Sequence, residues 1–282
     1  MWKDIGDEDK MYKMIAIDLD GTLLNSNKEI SQENKKYIKY AMEKGIKVLI
    51  CSGRIYTGAK VFAEQLSVEG PMVVCNGAMI RDVKTGETYY SNMLSKEDCI
   101  KVVDLLHKEG IYFHTYIDDI MYAEKLDYAA LYYMIKSKDL SSDFRIDVKV
   151  VESVKDIVVK SSENPAKIVV MSSKLEELLR VRKFVEDIST IEVVSSNYDN
   201  FEVLNRGVSK GKALEIISRK FSIKREEIIA IGDNENDCSM LEYAGLSIAM
   251  GNAEDKVKNI CDFVVPSNDE DGVAYAIKKF VL

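Results

Sequence analysis

Histidine is nearly absent from this chain. The two present, His107 and His114, are too few and too far apart for a zinc site. Three prolines and 15 glycines in 282 residues exclude collagen-like and proline-rich disordered classes. The five cysteines (Cys51, Cys75, Cys99, Cys238, Cys261) are odd in number, and no two have the close spacing of a metal or redox motif. They read as free thiols, mostly buried, in the reducing cytoplasm. The chain has no apolar run long enough to cross a membrane. Its first ten residues, MWKDIGDEDK, lack the apolar stretch of a signal peptide. Basic residues are also in deficit, 39 against 47 acidic, a net charge of −8. That balance speaks against a general nucleic-acid surface and leaves room for a small anion pocket.

What remains is a composition of 46% apolar and 30% charged residues, ordinary for a soluble globular protein of one large or two modest domains. Residues 1–11 read as an extension. Met14–Ile17 is a short apolar run that stops at Asp-Leu-Asp-Gly and predicts a buried parallel strand. Ser31–Lys44 predicts a helix with Ile38, Ala41 and Met42 on one face, Ser31 as N-cap and Gly45 as stop. Strands are expected at Ile46–Ile50 and Met72–Cys75, with a helix from Tyr56 to Leu66 between them. Alternating strands and helices at this spacing predict a parallel α/β sheet, with ligands held at the carboxyl ends of its strands.

From Thr88 to Asn205 the pattern changes to α+β and becomes tyrosine-rich. Helices are expected near Lys96–Lys108, Asp127–Ile135 and Leu175–Val185, and strands at Tyr112–Ile117, Met121–Ala123, Lys167–Met171, Ile191–Ser195 and Phe201–Leu204. Tyr112, His114 and Tyr116 alternate along one strand face, and the preferred reading has them covering their own sheet rather than lining a pocket. The charged stretch Ser137–Glu163 reads as a solvated loop and helix face. The α/β pattern resumes after Arg206. Helices are expected at Ser209–Phe221, after Asp237, near Asp255–Asn259 and at Asp271–Phe280, with strands at Ile228–Ile231, Leu246–Met250 and Phe263–Val265. The expected organisation is therefore a core of residues 1–87 and 206–282, interrupted by an inserted domain at 88–205.

The chemistry is concentrated at the ends of the core strands. Asp18 and Asp20, two apart in extended chain, point the same way into one pocket, and Gly21 allows a sharp turn after them. Gly232-Asp233-Asn-Glu-Asn236-Asp237 adds two more carboxylates at what should be the same sheet edge. Converging carboxylates repel one another unless a cation sits among them, and a hard divalent ion with oxygen ligands is the natural partner. Ser52-Gly53-Arg54 supplies a hydroxyl and flexible backbone at another strand end, and Lys210 at a helix start supplies a point charge for an anion. Acids, a metal, a hydroxyl and a lysine together describe phosphoryl transfer to a carboxylate.

These stations, in this order, resemble the haloacid dehalogenase-like superfamily of phosphohydrolases, and within it the Cof-type phosphatases of subclass IIB. Ile17-Asp-Leu-Asp-Gly-Thr-Leu-Leu24 is similar to the first motif, Cys51-Ser-Gly-Arg54 to the second, Ser209-Lys-Gly211 to the third and Ile231–Asp237 to the fourth. Asn76-Gly-Ala78, Ala249–Ala253 and Ser267–Ala274 are similar to features of the branch, and the resemblance runs from Tyr12 to the C-terminus. It implies a Rossmann-like parallel core with an inserted α+β cap, and hydrolysis of a small phosphorylated metabolite such as a sugar phosphate or phosphorylated cofactor. It further implies Asp18 as nucleophile forming an aspartyl-phosphate, and Asp20 as the acid and then the base. Mg²⁺ would be held by Asp18, the Asp20 carbonyl and Asp233, with Asp237 orienting the site from behind. Ser52, Lys210 and Asn236, with the Leu19 and Gly53 backbones, would contact phosphoryl oxygens. The same core also serves phosphomutases and other phosphotransferases, and clustered acids with a lysine occur in phospho-acceptor switches. The inserted domain and the position of Asp20 argue against a switch, which must hold its phosphate rather than shed it, while Asp18 and Asp20 could serve a mutase as well as a phosphatase.

Overall fold

The computed structural model describes residues 12–136 and 146–282. The expected N-terminal extension and residues 137–145 of the charged stretch lie outside them. The chain opens with β1 (Met14–Ile17), α1 (Gln32–Glu43), β2 (Lys47–Ile50) and α2 (Tyr56–Gln65). All four residues of β1 are buried, as expected for a strand covered on both faces. The Ser31 hydroxyl caps α1 by accepting from the Asn34 amide at 3.0 Å, and Gly45, at φ +84°, follows the helix end. Asn34 is buried as well. Its side-chain oxygen accepts from the Ala274 amide at 2.8 Å, tying α1 to the last helix of the chain.

Next come β3 (Pro71–Val74), β4 (Met79–Asp82) and β5 (Thr88–Ser91), which form a three-stranded antiparallel sheet. This corrects the expectation of β3 as a regular strand of the parallel sheet. It reaches that sheet only at its edge, through a bridge between Cys51 and Val73 and a bond from the Ser52 amide to the Val73 carbonyl at 2.9 Å. The reason is local. Cys75, Asn76 and Gly77 all have positive φ (51°, 55° and 99°), so the chain reverses at once and β4 takes the free edge of β3. The expected boundary after residue 87 falls inside this meander, because β5 pairs with β4.

The inserted part comprises α3 (Lys96–Glu109), β6 (Tyr112–Ile117), β7 (Ile120–Ala123), α4 (Tyr128–Lys136), β8 (Asp147–Val150), α5 (Val154–Lys160), β9 (Lys167–Met171), α6 (Leu175–Glu186), β10 (Ile191–Val194) and β11 (Asn200–Asn205). Its sheet has the order β10-β11-β9-β6-β7-β8, antiparallel except between β7 and β8. Phe113, Ile117, Ile168, Val170, Phe201 and Val203 form a cluster with buried residues of α3, α5 and α6. The alternate residues Tyr112, Tyr116 and Val169 join the cluster that runs into the core. β8 was not expected, since its alternating charges resemble a loop and it is a largely exposed edge strand.

The chain then returns through α7 (Lys210–Lys220), β12 (Ile228–Gly232), α8 (Cys238–Tyr243), β13 (Leu246–Ala249), α9 (Asp255–Ile260), β14 (Phe263–Val264) and α10 (Gly272–Phe280). The core sheet has the order β14-β13-β12-β1-β2, all parallel. The result is the expected α/β fold, a Rossmann-like core carrying an α+β insertion. Ile17 pairs with both Ile50 and Ile231, so β1, β2 and β12 end at one level. The insertion is fastened beside that level by Arg182 of α6, which donates to Glu235 at 2.6 Å, and by the Asn236 amide, which donates to the Ser195 carbonyl at 3.2 Å. Cys51, Cys75 and Cys99 are buried, Cys238 and Cys261 half-buried, and none is paired. No helix among the described residues is long and apolar enough to cross a membrane.

Two glycines separate backbone strain from packing. A methyl on Gly77 (φ +99°) would lie 2.2 Å from the Ser209 carbonyl oxygen, whereas one on Gly45 (φ +84°) meets nothing within 4 Å. Both alanine variants carry about 1–2 kcal/mol of left-handed strain. Gly77→Ala adds an overpacking cost of about 1–3 kcal/mol. Urea denaturation should therefore find Gly77→Ala clearly less stable than Gly45→Ala; equal losses would show that the Ser209 backbone yields freely.

Candidate active site

The shared level of the three strand ends brings the acidic motifs together. The Asp18 amide donates to the Ile231 carbonyl at 3.1 Å and the Cys51 amide to the Ile17 carbonyl at 2.9 Å, so the residues just past β1, β2 and β12 are neighbours. Carboxylate oxygens of Asp18, Asp233 and Asp237 lie within 4.8 Å of one another, and all three residues are buried. Lys210, without exposed surface, donates from Nζ to Asp18 Oδ1 at 2.5 Å and to Asp237 Oδ1 at 2.6 Å. The other oxygen of Asp237 accepts from the amides of Asp233 (2.9 Å) and Asn234 (3.1 Å). Asn234 caps the short 3₁₀ turn there. The Thr22 hydroxyl donates to Asp233 Oδ1 at 2.7 Å.

Burial pushes the Asp18 carboxyl well above its ordinary range, and the charge of Asp237 adds to this against the pull of Lys210. Burial, then Asp237, pushes Asp233 up to about 7. Lys210 is held above its ordinary value by Asp18 and Asp237 although burial opposes it. Ionised together, three carboxylates and one ammonium would leave two negative charges on buried groups, which is why burial and mutual repulsion push the Asp18 and Asp233 carboxyls up. The donors are hard oxygens. Asp237 already spends both oxygens on protein hydrogen bonds, while Lys210 and Thr22 each occupy only one oxygen of Asp18 and Asp233. This donor set fits a divalent cation such as Mg²⁺.

Asp20 stands outside that trio. Arg54 donates to it through Nε (2.7 Å) and Nη2 (2.8 Å), and Lys28 donates at 2.9 Å. Burial works to raise the Asp20 carboxyl, but Arg54 and then Lys28 hold it well below the usual carboxylate range. Of the four acids expected to converge, the structure therefore draws three together and gives the fourth to a guanidinium.

A cavity of about 750 Å³ opens above these groups. Asp18, Asp20, Ser52, Gly53, Asp233 and Asn236 line its core side, while Leu19, Lys210 and Asp237 are buried and absent from the lining. Its other wall belongs to the insertion and includes His114, Tyr116, Lys167 and Met171. His114 and Tyr116 thus line the cavity, contrary to expectation. The Tyr112 hydroxyl instead accepts from the Ala130 amide of α4 at 3.3 Å. Strand alternation gave these three residues a common face; which part α4 covers and which the core leaves open is a matter of packing.

The sequence reading also assigned no role to the polar contacts between core and insertion. Lys167 donates to the Gly53 carbonyl at 2.7 Å and pairs with Glu202. Glu202 accepts from the Asn76 amide group at 3.0 Å, and Asn76 Oδ1 accepts from Asn236 Nδ2 at 3.0 Å. One signal was available: Lys167 and Glu202 are the lone charges of two otherwise uncharged strands, a pattern that calls for a buried partner.

A family model described as haloacid dehalogenase-like hydrolase matches residues 15–277. The 5-amino-6-(5-phospho-D-ribitylamino)uracil phosphatase YwtE of Bacillus subtilis is 34% identical, over 95% of this chain and 98% of its own. Phosphatase YwpJ of the same species is 32% identical, over 94% of this chain and 99% of its own. The solved structure of a haloacid dehalogenase-like hydrolase from B. subtilis shares 30% identity and superposes with a TM-score of 0.85, covering 95% of this chain and 99% of that one. With its strand-end acids in place and nearly its whole length matched, the chain belongs to the haloacid dehalogenase-like hydrolase family.

Proposed function

We propose that this enzyme is a Mg²⁺-dependent phosphatase of small phosphorylated metabolites that works through an aspartyl-phosphate on Asp18. The observation that carries this reading is the buried trio Asp18, Asp233 and Asp237 around Lys210, set at the floor of a cavity large enough for a metabolite. The names of YwtE and YwpJ, both phosphatases, support it.

An oxygen of Asp18 attacks the phosphorus and the ester P–O bond breaks. Asp20 gives its proton to the departing alcohol, then takes one from the water that attacks the aspartyl-phosphate and releases inorganic phosphate. Asp18, the Asp20 carbonyl and Asp233 would hold Mg²⁺, which when bound neutralises charge so that an anionic ester can approach a carboxylate. Asp237 keeps Lys210 in place. Ser52, Lys210 and Asn236, with the backbones of Leu19 and Gly53, meet the phosphoryl oxygens. Asp20 begins as an anion paired with Arg54 and Lys28. Its acid step needs a proton taken up from solvent once the doubly charged phosphate draws those cations away.

Asp18→Asn should abolish release of p-nitrophenol from p-nitrophenyl phosphate in Mg²⁺, and EDTA should do so reversibly; near-normal turnover by the variant would remove Asp18 from the mechanism. Arg54→Ala takes from Asp20 the cation that lowers it, so the Asp20 pKa rises. The alkaline limb of the pH profile of kcat/KM, where Asp20 must carry a proton to serve as the acid, should move to higher pH, and an unmoved limb would separate Arg54 from Asp20. Asp233 has a folded value of about 7, above the unfolded carboxylate range near ~4. Its contribution to metal-free stability is therefore full below ~4 and is lost as the pH rises through about 7. Mg²⁺ needs the ionised form, so it should raise Tm more at pH 8 than at pH 5 in thermal melts. Equal increments would exclude Asp233 as a ligand.

A further inference from the structure

Lys167 and Glu202, the buried ion pair of the insertion, stand at the root of two hydrogen-bond chains, and each chain ends at a core group that lines the cavity. The first starts from the ammonium. Lys167 Nζ donates to the Gly53 carbonyl at 2.7 Å. In a trans peptide the carbonyl and the following N–H point in opposite directions. That N–H belongs to Arg54, and it donates to Ser52 Oγ at 3.1 Å. Ser52 Oγ is thereby an acceptor towards its own loop, which leaves its O–H to donate into the cavity.

The second chain starts from the carboxylate, which only accepts. Glu202 Oε2 takes Lys167 and, at 3.0 Å, Asn76 Nδ2. Asn76 must therefore turn its side-chain oxygen the other way, where it accepts from Asn236 Nδ2 at 3.0 Å. The second N–H on that nitrogen stays free to bind an anion. Without a fixed acceptor at the far end, two such amides can turn round together, and Asn236 would present an oxygen where it now presents an N–H. Asn76 suits its place. At φ +55° and ψ +26° it occupies the left-handed region that asparagine tolerates. Its backbone amide donates to the Ser52 carbonyl at 3.1 Å, and a methyl on Gly53 would lie 2.9 Å from its side-chain oxygen. A buried ion pair adds little net stability, so what this one supplies is direction: a donor at the head of one chain and an acceptor at the head of the other.

Resting on the phosphatase reading above, in which Ser52 and Asn236 meet phosphoryl oxygens, we propose that Lys167 and Glu202 are positioning residues of the reaction. From the inserted domain they fix Ser52 and Asn236 as hydrogen donors towards the phosphoryl group, whatever alcohol the ester carries. Lys167→Met/Glu202→Met removes both charges and strands neither. It should cut kcat/KM about 10²-fold, as misplaced binding groups do. The factor should be the same for p-nitrophenyl phosphate and the bulkier 2-naphthyl phosphate, and competitive inhibition by inorganic phosphate should weaken with it. Glu202→Gln keeps an oxygen for Lys167 and Asn76 and should retain most of the activity. Asn76→Gly, at ease at positive φ, cuts the second chain and leaves the ion pair in place. It should also weaken phosphate inhibition, and it carries the test if the double variant does not fold. Undiminished kcat/KM in the double variant or in Asn76→Gly overturns this proposal alone. So does a loss that differs between the two esters, phosphate inhibition that does not move, or Glu202→Gln as impaired as the double variant. Inertness of the wild-type enzyme towards both esters overturns the phosphatase reading and this proposal with it.

Discussion

An ammonium with no access to water, held between two carboxylates, is the interaction on which the rest of this site depends. Lys210 bridges Asp18, at the end of β1, and Asp237, beyond the end of β12. Its backbone position is fixed by two close approaches. Gly211 lies so near the Ser239 backbone that a methyl group would come within 2.2 Å, and Gly77 comes equally close to Ser209. A buried ion pair of this kind is weak evidence for stability, because desolvation consumes much of the attraction, and loss of one partner strands a charge at a cost of about 3–5 kcal/mol. Its value here lies in arrangement: one cation partly offsets three acids that could not otherwise share so small a space.

The level ends of the parallel strands make that arrangement possible. Pairing of Ile17 with Ile50 on one side and Ile231 on the other means that the first polar residues past each strand emerge side by side. Backbone amides then do part of the electrostatic work, as where Asp237 accepts from Asp233 and Asn234. The inserted sheet completes the enclosure and is joined to the core chemically. Through Lys167 it holds the Gly53 carbonyl, and through Glu202 it reaches Asn76 and, beyond it, Asn236. A shift of the insertion would therefore be felt by the Ser52-Gly53 loop and by Asn236, the groups assigned to phosphoryl oxygens under the proposed function.

The cavity has two kinds of wall for two kinds of task. The core side carries the acids and a hydroxyl, suited to an anion and a cation; the inserted side mixes tyrosines and aliphatic side chains with polar ones, and its Lys167 and Glu202 are paired with each other. Arg54 and Lys28 also line the cavity, both paired with Asp20.

The core strands, their helices and the clustering of acids at strand ends were legible in the sequence because each rests on a local pattern: an apolar run, a 3.6-residue period, a cap, a polar turn. The order of the motifs carried the family. Local patterns also misled where their signals were faint, as with β8, whose charges hid a strand, and β3, whose turn of positive-φ residues sent it into a meander. Only tertiary structure decided that Asp20 belongs with Arg54, that Lys167 meets Glu202, and that His114 and Tyr116 look into the cavity rather than at a covering helix. Residues separated by tens or hundreds of positions come together only when sheets and insertion pack. A side chain's partner, unlike its helical or strand period, is set by that packing, and the residues beside it show at most that a buried charge needs one.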